Sequence, residues 1–531
     1  MIVSESSNSN CTHGHGRLHR LVHLAGAPPL HPPLIRCLAS LLASPCPRPQ
    51  EPNARIQETA PSRPTDAGLP RKFLALRRSI FDLGPLLREL HARHGPVISV
   101  RLFRTLVFVA DRGLAHRVLV QGGVTFADRP PLFDPGLLFT AGSRDISSSP
   151  YGPYWRLVRR NLAAEALHPA RVSLYAPARR AAGDALVADL LLLRARGGGG
   201  GGDGVLVRPA FRRALFELLV RMSLGATLGA DVLDEVQDIQ MKILRSITSF
   251  PIFSFLPAVT KRLFRKRWEA YVAVRRRQDE IFLPLIDARR RGGGGDGLPC
   301  YADSVLALRV AEEGGRPLTD AEVVTLCSEF LSAGTDTTVT LLEWIMAELV
   351  NHPDVQAKVY EEVRSKKPEL DDVDLQEARY LKAVVLEGLR LHPPGHFVLP
   401  HGVRGDGAEI AGYAVPKGAE VNFLLGGFGL DETAWTAPLE FRPERFLDGG
   451  EGCDVDITGS REIKMMPFGA GRRMCPGHTL GMLQVEFFVG SLVRQLEWLP
   501  VKEGEAVDMT EQLDFTTVMK HPLRARIVPR N

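Results

Sequence analysis

The sequence predicts a mainly α (α+β) fold, helical with small β-sheets, on three observations. A long helical pattern opens after Leu318 with Thr319 suited to an N-cap, and stops at His352-Pro353. A second apolar helix begins after Pro476. Between them lie only short strand-like pieces broken by turns at Gly412, Pro416 and Gly418.

The elements follow in chain order. Residues 1–70 are rich in Ser, His, Pro and Arg, with Glu5 the only acid before Glu51, and are read as a disordered or targeting segment. Their apolar residues are interrupted by Pro28, Pro29, Pro32, Pro33 and Arg36, so no stretch nears the roughly 20 apolar residues of a bilayer span. Residues 71–531 are read as one domain. Order is expected from Phe81, with Leu86, Leu87 and Leu90 at helical spacing before the turn at Gly95-Pro96 and strands over 97–102 and 106–109. Glycine-rich stretches at 197–204 and 292–297 cannot hold a helix and are read as loop insertions. Residues 249–257 form an apolar tip before Lys261, Arg262, Arg265, Lys266 and Arg267. This pattern suits either peripheral membrane contact or a core segment followed by a solvated helix face.

Composition narrows the function. With 44% hydrophobic and 24% charged residues in 531, the chain is ordinary globular protein with ample core. A net charge of +5 is small for that length, which argues against a nucleic-acid partner and leaves room for local basic patches. The seven cysteines are scattered without a C-x-x-C pair, so neither a zinc site nor a disulfide framework is expected.

One cysteine stands out. Phe468-Gly469-Ala470-Gly471-Arg472-Arg473-Met474-Cys475-Pro476-Gly477 displays Cys475 in a glycine-framed loop before the last helix. A thiolate needs a neighbouring cation or metal, Arg472 and Arg473 adjoin it in sequence, and glycines leave space for a flat cofactor; haem iron meets every requirement. The alternative is a buried structural cysteine at a helix start. In the long helix, Ala333-Gly334-Thr335-Asp336-Thr337-Thr338 places polar groups in an apolar run. Gly334 lets that helix pass close to a flat cofactor and open a local groove for dioxygen, while Asp336 beside Thr337 organises water for proton delivery. The alternative for Thr337 is a bond back to its own helix. Trp155 and Arg159 share one helix face and Arg156 and Arg160 a neighbouring one, so one pair is expected to meet haem and the other solvent. Glu387 and Arg390 are three apart, close enough to pair, with Arg445 as a second guanidinium.

Together with Phe441-Arg442-Pro443-Glu444-Arg445-Phe446, and in this chain order, these motifs resemble the cytochrome P450 superfamily over residues 80–530. The spelling of the Gly334 and Cys475 motifs, with Ile146-Ser147-Ser148 before Tyr151-Gly152, is most similar to plant A-type members of the group numbered 89. The resemblance implies the cytochrome P450 fold and heme b, with Cys475 as the iron ligand. It places Trp155, Arg159, His401 and Arg473 at the haem propionates, and Gly334, Phe468 and Gly477 against the cofactor. Asp336 and Thr337 would supply protons, and Glu387, Arg390 and Arg445 would support folding and haem retention. The activity implied is a monooxygenase inserting one atom of O2 into a lipophilic substrate. Its electrons would come from NADPH through a separate NADPH-cytochrome P450 reductase, since no G-x-G-x-x-G fingerprint follows an expected strand. Lys464, Arg472, Arg156 and Arg160 would offer that partner a basic face. The pocket wall would draw on residues 130–148, 249–257, Ala333, 397–399 and 515–518. Other readings are a haem-thiolate isomerase or dehydratase acting on a peroxide without reductase, and an inactive haem protein. The implied location is the cytosolic face of the endoplasmic reticulum membrane, with plastid or cytosol as alternatives because residues 1–70 show no apolar anchor. Gly429-Leu430-Asp431-Glu432 departs from the family's Arg-Asp-Pro, and a weaker local salt bridge or turn is expected there.

Overall fold

The first helix, α1 (Gly84–His94), buries Leu87 and Leu90 and ends at Gly95, whose φ of +91° turns the chain into β1 (Val97–Arg101) and β2 (Thr105–Val109). The computed structural model describes residues 84–530, except 102–103, 197–203, 250, 293–296 and 368–369. The expectations for residues 1–70, and for most of each glycine-rich stretch, lie outside the described residues. Five long helices follow: α2 (Pro153–Asn161), α3 (Ala176–Arg196), α4 (Arg208–Leu224), α5 (Ala230–Thr248) and α6 (Arg265–Arg290). Then come α7 (Asp320–Asn351), α8 (Pro353–Arg364), α9 (Arg379–Leu391), strands β3 (His401–Gly402) and β4 (Glu420–Phe423), and α10 (His478–Gln495). The larger sheet runs β1-β2-β4-β3, with β4 parallel to β2 and the other pairs antiparallel.

The axis of the core is α7. Thr319 Oγ1 accepts from the Glu322 N–H (3.3 Å) while the Glu322 carboxylate accepts from the Thr319 N–H (2.7 Å), a reciprocal cap that fixes where the helix starts. Its C-terminal half is buried on every side from Leu341 to Val350, as expected of a helix clothed by others. Each large apolar side chain there contributes about 1.5–3 kcal/mol through burial. α4, α9 and α10 pack directly on it. At Gly388 on α9 an added Cβ would lie 2.4 Å from Ile345 Cγ1, so a glycine is what lets the two helices close. The helix runs unbroken through Gly334, so the expected groove is not a break in the helix.

Two expectations need correction. Only part of the 249–257 tip is available as a surface. Ile252 and Phe253 are buried, with the Phe253 ring 5.6 Å from Trp268 and 6.2 Å from Tyr271, whereas Leu256, Val259 and Leu263 are exposed. Phe250 lies outside the described residues. Nor is the 429–432 segment without a salt bridge: Asp431 pairs with Arg112 at 2.7 Å and takes the Thr433 N–H at 2.9 Å. Among the described residues, no helix is long and apolar enough to cross a membrane.

Glu387 sits at the junction of α9 and the irregular segment 429–451. Its carboxylate receives two bonds from Arg390, both 2.7 Å, one from Arg445 at 3.0 Å and the Arg442 N–H at 2.8 Å. Both guanidiniums and the carboxylate are wholly withdrawn from water. Removing one member strands the others, so Glu387→Ala should cost about 3–5 kcal/mol in denaturant unfolding of the apoprotein. A loss below about 1 kcal/mol would mean that the network does not hold this junction.

Candidate active site

Cys475 closes a loop rather than ending a strand. Its N–H donates to the Phe468 carbonyl (2.8 Å), a short helical turn spans Gly471–Arg473, and α10 begins three residues later. Gly471 has φ +69°, and a Cβ there would lie 2.0 Å from the Leu119 carbonyl of the helical turn Arg117–Gln121. The loop is therefore seated on backbone. Burial pushes the Cys475 thiol up, opposed by the Gly477 N–H and by Arg159. The cation facing the sulfur is thus Arg159 on α2, not the sequence neighbours. Arg472 donates to the Tyr151 hydroxyl (3.0 Å), and Arg473 donates to the carbonyls of Ala127 (2.7 Å), Ile146 (3.2 Å) and Ser149 (2.7 Å).

Beside the loop stands a cationic cluster. Trp155 is buried and donates to the Ile146 carbonyl (3.1 Å), with the Arg473 guanidinium 4.5 Å from its ring centroid; Arg159 donates to the Met474 carbonyl. Arg156 and Arg160, on the neighbouring face of α2, are exposed. His401 on β3 is buried, its Nδ1 donating to the Phe126 carbonyl (2.7 Å). Burial, with the charges of Arg129 and Arg473, pushes its pKa down to about 3, leaving a neutral ring. Arg129 was not singled out from the sequence. It donates to the carbonyls of Ser147 (2.7 Å), Leu399 and Pro400 (both 2.9 Å). Burial, then the nearby Arg473 charge, lowers its pKa to about 9, and burial lowers Arg473 to about 10. Among the described residues no carboxylate forms an ion pair with Arg129, Arg159 or Arg473. Three crowded guanidiniums without a carboxylate partner fit an anionic ligand group, and haem propionates have that chemistry. Phe468 and every residue from Arg473 to His478 keep part of their surface uncovered, as a flat cofactor against the loop requires.

On α7, Glu329, Ala333 and Thr337 are spaced four apart and share one face that the surrounding protein leaves partly open. Gly334 does not lie on that face: an added Cβ would meet Leu219 Cδ1 of α4 at 3.0 Å, so this glycine serves the contact between two helices, and its expected place against the cofactor is corrected accordingly. The Thr337 hydroxyl donates to the Ala333 carbonyl (2.7 Å), as do those of Thr335 and Thr338 to the carbonyls of Leu331 and Gly334. Asp336 points elsewhere and pairs with Arg212 of α4 (2.5 Å). Arg208, one turn before Arg212, pairs with Glu343, two turns beyond Asp336. The ladder is legible only once the two helices are known to pack.

Comparison with known proteins fixes the class. The family model described as Cytochrome P450 matches residues 75–528. Cytochrome P450 89A9 of Arabidopsis thaliana is 43% identical over 468 residues, 86% of this chain and 90% of that protein. Flavonoid 3'-monooxygenase of the same plant is 29% identical over 449 residues, 82% and 86% of the two chains. Among solved structures, a zebra fish cytochrome P450 with progesterone superposes at TM-score 0.69 and 23% identity, covering 84% of this chain and 99% of that one. The retinoic acid bound cyanobacterial CYP120A1 gives TM-score 0.69 at 21% identity, covering 85% and 95%. Fold and sequence together define a haem-dependent monooxygenase. The chain belongs to the cytochrome P450 family, as a plant member related to the 89 group, and is an oxygen-incorporating oxidoreductase whose cofactor is haem.

Gly471→Ala should cost about 1–3 kcal/mol from the left-handed backbone alone, with the clash against Leu119 in addition. Thermal unfolding and the ratio of Soret to protein absorbance report it; an unchanged ratio would show that the loop tolerates displacement from Leu119.

Proposed function

We propose that this protein is a haem-thiolate monooxygenase for a lipophilic small molecule, driven by NADPH through a separate reductase at the cytosolic face of the endoplasmic reticulum. The observation that carries the site assignment is Cys475, presented on a backbone-seated loop beside a cationic cluster whose guanidiniums form no ion pair with a carboxylate among the described residues. Thiolate-ligated haem supplies O–O cleavage. The overall balance is substrate C–H, O2, two electrons and two protons giving an alcohol and water.

In this reading Cys475 would hold the haem iron through its sulfur, as a thiolate that the bound metal would favour. Arg129, Arg159, Arg473, Trp155 and His401 would hold the haem propionates. The neutral His401 ring, with Nδ1 committed to a carbonyl, becomes a two-sided donor only when an anion beside Nε2 raises its pKa. Thr337 turns its hydroxyl from Ala333 toward the open face of α7. Asp336 passes protons to it through water when its carboxylate leaves Arg212. Exposed Arg156, Arg160 and Arg472 support a basic docking face for an acidic flavoprotein. Exposed Leu256, Val259 and Leu263 beside Lys261 and Arg262 support contact with a membrane surface.

The reduced, carbon-monoxide-bound protein should absorb at about 450 nm, the signature of thiolate-ligated haem, and Cys475→Ala should lose that band. A wild-type band without that red shift would overturn the ligand assignment. Thr337→Ala should keep the band but raise the hydrogen peroxide formed per NADPH oxidised, whereas Asp336→Asn should slow turnover by about 10²-fold. Unchanged peroxide yield in Thr337→Ala would sink the proton role.

A further inference from the structure

Glu329 sits two turns before Thr337 on the same face of α7, so the two Cα atoms are about 12 Å apart along the helix. Its carboxylate is fully committed, with one oxygen taking the Ile146 N–H and the other the Ser147 N–H, both at 2.7 Å. A carboxylate that grips two successive amides fixes the orientation of the peptide planes between them. The carbonyls of the same stretch are taken by other groups. Ile146 receives Trp155 and Arg473, Ser147 receives Arg129, and Ser149 receives Arg473. One side chain from α7 and three of the groups assigned to the propionates therefore meet on four residues of backbone.

We propose that Glu329 is a positioning residue of the oxygenation site, holding the 146–149 segment so that the substrate-side wall and the cationic clamp keep one fixed relation to α7. This rests on the haem-monooxygenase reading above. Asp145 adds a control. Its own carboxylate is buried and takes the Ser148 N–H (3.1 Å) and hydroxyl. Burial, and next the Asp145 charge, hold Glu329 above the usual carboxylate range, and burial does the same for Asp145. The other titratable or charged groups felt by the pair are Arg129, Arg159, Arg473 and Tyr154, with Tyr301 from the helix Tyr301–Ala307. Two carboxylates that repel each other, Asp145 buried and Glu329 on the partly open face of α7, share fewer than two charges over part of the neutral range. The form that accepts both amides best is the charged one, so the grip on Ile146 and Ser147 strengthens as pH rises through the titration of the pair and slackens as pH falls.

Hydrogen exchange of the peptide spanning 144–149 in the haem-loaded protein, from about pH 5.5 to about pH 8.5, tests this after correction for intrinsic exchange. Wild-type protection should climb with pH. Glu329→Gln offers one acceptor for two amides, so it should exchange about 10-fold faster at the upper end and lose the pH dependence. Glu329→Asp keeps the charge and should retain the pH dependence at lower protection. The rate of carbon monoxide rebinding after photolysis should follow the same pH profile in wild type and be flat in Glu329→Gln. Protection of Glu329→Gln within about twofold of wild type, with an unchanged pH profile, would overturn the proposal. Loss of haem in Glu329→Gln leaves the Asp variant to decide. A wild-type protein without the 450 nm band would refute the haem reading alone, because exchange of the segment still shows whether Glu329 holds it.

Discussion

The Glu387 carboxyl lies where water does not reach, and it can stay there because four donors converge on its two oxygens. The consequence spreads outward through its partners. Arg390 has donors to spare and gives them to the carbonyls of Gly429 (2.6 Å), Pro438 (2.7 Å) and Glu440 (3.1 Å), a stretch with few regular backbone partners. Such a stretch could not otherwise be buried, because unpaired carbonyls in the interior are expensive. The same guanidinium lies 5.4 Å from the Trp435 ring centroid, and Trp435 in turn reaches the Lys464 carbonyl (3.4 Å), four residues before Phe468. The position of the cysteine loop is thus inherited from an ion pair on another helix.

The site shows a second use of backbone as a counterweight to charge. Arg129, Arg159 and Arg473 lie near one another with their donors aimed at carbonyl oxygens instead of carboxylates. Carbonyl dipoles orient a guanidinium without neutralising it. The arrangement therefore keeps its positive potential for an anion from outside the chain. An acid placed in the cluster would have stabilised the apoprotein and spoiled it as a receptor. The acids whose charges the cluster feels, Asp128 and Asp145, spend their oxygens elsewhere, Asp128 on the N–H groups of Arg129 and Tyr151 and Asp145 on the N–H and hydroxyl of Ser148.

Much of this was legible in sequence, for identifiable reasons. α7 and α10 announce themselves through caps, prolines and continuous apolar runs, and β1 and β2 through the β-branched residues that follow the turn at Gly95-Pro96. The pairing of Glu387 with Arg390 follows from helical spacing alone. What escaped depends on which elements touch. Arg472 and Arg473 shortly precede Cys475 along the chain, yet the guanidinium charge felt by the sulfur arrives from α2, because Arg472 is committed to the Tyr151 hydroxyl and Arg473 to the carbonyls of Ala127, Ile146 and Ser149. Gly334 reads as space for a cofactor until α4 is seen to occupy it with Leu219. Arg129 precedes Pro130 in an unremarkable turn, and only its closeness to Arg473 gives it meaning. Ile252 and Phe253 look like an apolar tip because the sequence does not reveal that α6 carries Trp268 and Tyr271 to meet them.

The contact between Gly471 and the Leu119 carbonyl bears on how such proteins can be recombined. A loop that rests against a side chain can be exchanged with a relative's loop, since a rotamer change absorbs the mismatch. Here the facing surface is a peptide group, which has no rotamer to change. The ligand loop and the helical turn Arg117–Gln121 are therefore one module split by more than three hundred residues of chain. A chimera with its crossover between them would join two halves shaped against different partners, however similar the loops look when aligned.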